Sequence, residues 1–78
     1  MFDRALPWAE KVVNTIPDDP DYIELLATIY QGLSRYYDAL MWFEQSLKLR
    51  QEQEASEEEI HDTEAKIVNL KKLIKQQS

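Results

Sequence analysis

The sequence predicts an all-α fold of antiparallel helical hairpins closed by a C-terminal capping helix. Three observations lead there. Apolar residues recur at steps of three and four along most of the chain, the mark of one helix face. A 34-residue shift lays Phe2 to Pro17 over Tyr36 to Gln51 with related residues. A single glycine among 78 residues leaves little material for the many tight turns of a β fold.

The first helix is predicted from Phe2 to about Ile16. Phe2, Ala5, Leu6, Trp8, Ala9, Val12, Val13 and Ile16 share its apolar side. Pro7 is tolerated because N–H groups of the first turn have no partner inside the helix. Pro17-Asp18-Asp19-Pro20 then stops it.

A hairpin follows between Asp21 and about Arg50. Asp19 or Asp21 is positioned to cap its first helix, which buries Ile23, Leu26, Ala27 and Tyr30. Gly32 and Ser34 punctuate a break up to Arg35. The next helix turns Tyr36, Ala39, Leu40, Phe43, Ser46 and Leu47 inward. So short a joint makes the two helices antiparallel neighbours.

Gln51 to Ala55 is polar and forms a second joint. Ser56 and Glu59 then have the spacing of a capping box. The last helix carries Ile60, Ile67 and Ile74 at spacing seven, joined by Val68, Leu70 and Leu73. Its first half is acidic and its second half basic, as the helix dipole favours. The heptad spacing permits a short coiled-coil seam. Packing against Tyr36 to Leu49 is the preferred reading, because so few heptads hold poorly alone.

Over the sixteen aligned positions of the 34-residue shift, alanine, leucine, tryptophan and glutamate recur identically (Ala5/Ala39, Leu6/Leu40, Trp8/Trp42, Glu10/Glu44). Chance at average usage gives roughly one such match. The period and these residues resemble the tetratricopeptide repeat (TPR) family. Leu26, Ala27 and Tyr30 match its first helix, with Ile23 in the place of the leading aromatic. Tyr36, Ala39 and Phe43 match its second. Gln51 replaces the closing proline, so the second helix is expected to run past the usual boundary.

The resemblance implies a single domain. Residues 1–17 are the second helix of a partial repeat, 20–51 one complete repeat and 56–78 the capping helix. The chain then begins within a repeat, as a C-terminal fragment of a longer array would. Phe2, Leu6, Ala9 and Val13 become the open edge of the stack and candidates for self-association, with a homodimer as the expected form.

In the family, the first helix of each repeat lines a groove that takes a partner's peptide. Carried over, those positions are Asp21, Glu24, Leu25, Thr28 and Gln31. Glu24 and Thr28 stand where the family's carboxylate-gripping type needs Lys, Arg or Asn. That activity is therefore not expected, and an acidic groove prefers a basic or polar segment. Trp8 and Trp42 occupy equivalent places near the outer face and form a candidate aromatic contact patch.

A net charge of −6 excludes a basic nucleic-acid face and disfavours an anionic membrane. No apolar run spans a bilayer and no export signal opens the chain. Without cysteine, disulfides and thiolate metal sites are impossible. A soluble protein is expected, with the cytoplasm favoured. His61 has no second ligand at a fixed spacing, so no metal is expected. Neither a phosphate loop nor a nucleophile elbow is present. The expectation is a non-enzymatic interaction module without cofactor or small-molecule substrate. Its alternative is a structural module that self-associates through its first edge and last helix.

Overall fold

The described residues form four helices: α1 (Phe2–Thr15), α2 (Pro20–Gly32), α3 (Tyr36–Glu52) and α4 (Glu57–Gln77). They come from a computed structural model that describes residues 2–77, with side chains from Arg4 onward. The molecule is a thin slab of 34 × 28 × 15 Å. Each helix packs on its neighbour in sequence, α1 on α2, α2 on α3 and α3 on α4. This is an all-α fold, as the sequence predicts.

Local chemistry sets the ends of each helix. Pro7 lies within the second turn of α1, so the first-turn tolerance expected from the sequence does not cover it. Asp19 caps α2, its Oδ1 accepting from the Asp21 N–H at 3.0 Å, and Pro20 fills the first helical position. α2 and α3 stop in the same way. Ser34 and Glu54 both adopt left-handed backbone, with φ of 61° and 56°. The following N–H groups reach back: Arg35 to the Tyr30 carbonyl at 2.9 Å and Ala55 to that of Arg50 at 2.8 Å. Both ends are Schellman turns. Gly32 is still helical, so the punctuation falls on Ser34 instead. α3 does run past Gln51, to Glu52. Before α4, the Ser56 hydroxyl accepts from the Glu59 N–H at 3.3 Å. The Glu59 carboxylate turns away to Arg50, 3.5 Å distant, so only half of the capping box forms.

One core runs through all four helices. Ala9 and Val13 of α1 join Ile23, Leu26, Ala27, Ile29 and Tyr30 of α2, Ala39 and Phe43 of α3, and Ile67 and Leu70 of α4. Ala27 and Ala39 are fully buried, which lets the α2 and α3 backbones approach closely. The 34-residue relation extends to environment: Ala9 and Phe43 are both buried, and Leu6 and Leu40 both half-buried. On α4, Thr63, Ile67 and Leu70 face inward, Ile60 and Ile74 are half-buried, and Val68 is exposed.

The predicted open edge needs correcting on this point. Ala9 and Val13 are buried in the core that α1 shares with α2, and Leu6 is half-buried against it. The uncovered side of α1 instead carries Trp8, 54% exposed, and Ile16, 44% exposed, with half-buried Val12 between them. Both sides of α1 are apolar, so periodicity alone does not tell them apart. The Phe2 side chain lies outside the described residues.

Candidate interaction surfaces

Three surfaces lie open, and the first two are built on α2. The first is its outward stripe. Successive residues of a helix turn by about 100°, which puts Asp21, Leu25 and Thr28 on one side. All three are exposed, Leu25 by 38%. Gln31 is half-buried at the stripe's edge.

Glu24 is not part of that surface. It is only 7% exposed and points into the seam where α2, α3 and α4 meet. Its Oε2 accepts from Arg50 Nε at 2.8 Å, from Arg50 Nη2, from Ser46 Oγ at 3.0 Å and from Thr63 Oγ1 at 3.3 Å. Its Oε1 takes Lys66 Nζ at 2.8 Å. Arg50 also reaches Asp21 Oδ1 at 2.9 Å. Burial pushes the Glu24 carboxyl up, but the hydrogen bonds from Lys66, Arg50 and Ser46 outweigh it and hold the group below the ordinary carboxylate value. Burial pulls the Arg50 guanidinium down, and its bonds to Glu24 and Asp21 more than restore it. A buried carboxylate needs such partners, since an unpaired charge in a low-dielectric seam is strongly unfavourable. Sequence reasoning missed this clasp. The partners of Glu24 lie 22 to 42 residues from it, beyond the reach of helical periodicity.

The second surface is a cleft between α1 and α3. Val13, Asn14 and Pro17 form one wall, and Met41, Trp42 and Gln45 the other. Ile23 floors it, and the cleft offers about 400 Å³. Toward the start of α1 it continues over Leu26 and Tyr30 to Glu10. These floor residues lie on the side of α2 opposite Asp21, Leu25 and Thr28. Burial raises Tyr30 above the ordinary phenol value, and the charge of Glu10 adds to the shift. Arg35 lies over the Tyr30 ring, 4.8 Å from its centre.

The third surface is the uncovered side of α1, where Trp8, Lys11, Val12, Thr15 and Ile16 line a shallow apolar depression. Trp8 and Trp42 therefore border separate depressions, with Trp42 half-buried in the cleft. Among the described residues no group of His, Asp and Glu is arranged to hold a metal ion. None of the described helices is long and apolar enough to cross a membrane.

A family model, described as "Anaphase-promoting complex, cyclosome, subunit 3", matches residues 1–56. The chain belongs to this family. The match is to a repeat family of the tetratricopeptide type, and it covers α1, α2 and α3. Comparisons with curated proteins and with solved structures returned no match. Families of this type act generally in protein–protein interaction and are typically non-catalytic.

Proposed function

We propose that this member of the family binds a partner segment along the outward stripe of α2. The observation that carries the reading is the asymmetry of α2. Its other sides are covered by α1, α3 and the α4 clasp, while Asp21, Leu25 and Thr28 remain open. Leu25 supplies an apolar contact between two polar positions, and Asp21 favours a basic partner. Glu24 serves the scaffold rather than the ligand. The family's printed name supports a place within a multisubunit assembly, where a small helical module presents a fixed surface.

The test is selection of random displayed peptides on the purified chain, followed by amide mapping on nitrogen-labelled protein. The expected peptides are basic or polar and shift Asp21, Leu25 and Thr28. Thr28→Lys should abolish their binding. Enrichment of no peptide, or shifts that avoid α2's stripe, would sink the reading.

A second reading is favoured by Trp8 and Ile16. Shifted by 34 residues, Trp8, Val12 and Ile16 fall on Trp42, Ser46 and Arg50. On α3, Ser46 and Arg50 face Glu24 of α2. The side of α1 that corresponds to this α2-facing side of α3 is therefore the side left exposed. Self-association through that face would supply the missing cover.

A further inference from the structure

We infer that the α1–α3 cleft is a second docking site, for an extended peptide with an apolar side chain followed two residues later by lysine or arginine. It lies across the slab from the α2 stripe, so it goes beyond the preceding reading and can fail or stand without it.

The apolar part of the argument is the lining. Met41 is 54% exposed and stands beside Trp42 and Val13 at the mouth of the cleft. A leucine or phenylalanine inserted there would cover Met41 and the open part of Trp42, with buried Val13 behind them. Large apolar side chains grouped in one concave place mark contact sites more than scattered ones do.

The polar part fixes the direction. Asn14 of α1 and Gln45 of α3 both line the cleft, one from each wall. Neither makes a side-chain hydrogen bond among the described residues. Each amide can donate to and accept from a peptide backbone, as an extended chain requires along its length. Glu10 closes the far end. None of the ion pairs among the described residues includes it. Glu10 lines the same depression as Trp42 and Tyr30, whose ring already carries Arg35, and its own carboxylate favours a cation.

Geometry sets the spacing. Glu10 and Asn14 are four residues apart, ~6.0 Å along α1. Two residues of extended chain cover about 6.6 Å. An apolar residue at the Asn14 level therefore brings the residue two places on to Glu10. An anionic residue there would be repelled, so the pair sets specificity as well as affinity.

The probe is a synthetic glycine–serine peptide with one leucine and, two residues on, one lysine. Two control peptides replace the lysine by glutamate or the leucine by serine. Each is titrated into nitrogen-labelled protein, with the Trp42 indole and the Asn14 and Gln45 amides as reporters. Trp8→Phe assigns the indole signals. The leucine–lysine peptide should shift these reporters, and both controls should bind more weakly. Glu10→Gln should weaken it by about threefold, the range of an exposed ion pair. Glu10→Lys should weaken it further. Both changes are on the surface and leave the core intact. Three results would overturn the proposal: no shift at Trp42, equal binding of the leucine–glutamate peptide, or unchanged affinity of Glu10→Lys. Shifts confined to Leu25 and Thr28 would also overturn it while leaving the α2 reading standing.

Discussion

The Nε of Arg50 on α3 donates to the buried carboxylate of Glu24 on α2 at 2.8 Å, and this pair organises the seam where α4 docks. Ser46, Thr63 and Lys66 complete it, so three helices share one carboxylate. Such a cluster specifies how helices sit together more than it adds net stability, because removing charges from water is costly.

Breaking one half of the pair should therefore hurt more than removing both. Glu24→Gln or Arg50→Met alone should lower stability by about 3–5 kcal/mol. That is a large share for a domain of this size, whose total runs at about 0.05–0.15 kcal/mol per residue. Glu24→Met with Arg50→Met should recover most of the loss, since Lys66 and Asp21 can turn to water. Urea unfolding of the three variants decides. Equal losses for single and double variants would contradict the clasp.

The same carboxyl predicts a pH response. Its folded value lies below the ordinary one, so the folded state holds that proton less tightly than the unfolded state does. The stabilisation is present in full above about pH 4.5 and fades as pH falls through the depressed folded value. Melting temperatures of wild type and Glu24→Gln should converge below that point. A constant gap down to strong acid would contradict it.

Thr63 should matter beyond its size. It is buried on α4, with its hydroxyl 3.3 Å from Glu24 and 3.2 Å from the Glu59 carbonyl. Thr63→Val keeps the shape and removes the hydroxyl. A loss of about 1.5–3 kcal/mol is expected, the worth of a hydrogen bond to a charged group. Chemical denaturation measures it.

The two Schellman turns offer stabilising changes. Ser34 and Glu54 hold left-handed backbone without being glycine. That conformation costs a side-chain-bearing residue about 1–2 kcal/mol, partly offset by glycine's greater freedom when unfolded. Ser34→Gly and Glu54→Gly should each raise the melting temperature, and together they should add. Calorimetry showing a lowered midpoint for either would refute this.

Association through α1 can be checked on the exposed side. Ile16→Asp should shift sedimentation toward the monomer, while Ala9→Asp should instead unfold the chain, since Ala9 is buried. A wild type that sediments as a monomer at high concentration rules out the association.

Much of this architecture was readable in the residues. The small side chains at Ala27 and Ala39, the rings at Tyr30 and Phe43 and the Pro17–Pro20 stop each act within a turn or two, where periodicity reports faithfully. The replacement of proline at Gln51 correctly foretold a longer α3. Glu24 was misread because a charged residue flanking a helix's apolar face reads as solvated. Its burial depends on Arg50 and Lys66, which come from other helices. The small Ser46 at its place beside Leu47 was the one available hint that α3 accepts a polar group there. The open side of α1 was misassigned for a related reason. Ala9 aligns with Phe43, a core position, and it is this correspondence rather than the local apolar pattern that marks the buried side.

The succession of contacts, each helix on the next, has a kinetic meaning. Most of the native pairings form between segments that are already close along the chain, so little loop-closure entropy opposes them, and refolding should be rapid, as in other helical assemblies of low contact order. The bond from Lys66 to Glu24 spans 42 residues and belongs to the last steps of that process. Stopped-flow traces should accordingly show Lys66→Met accelerating unfolding while leaving the folding rate nearly untouched.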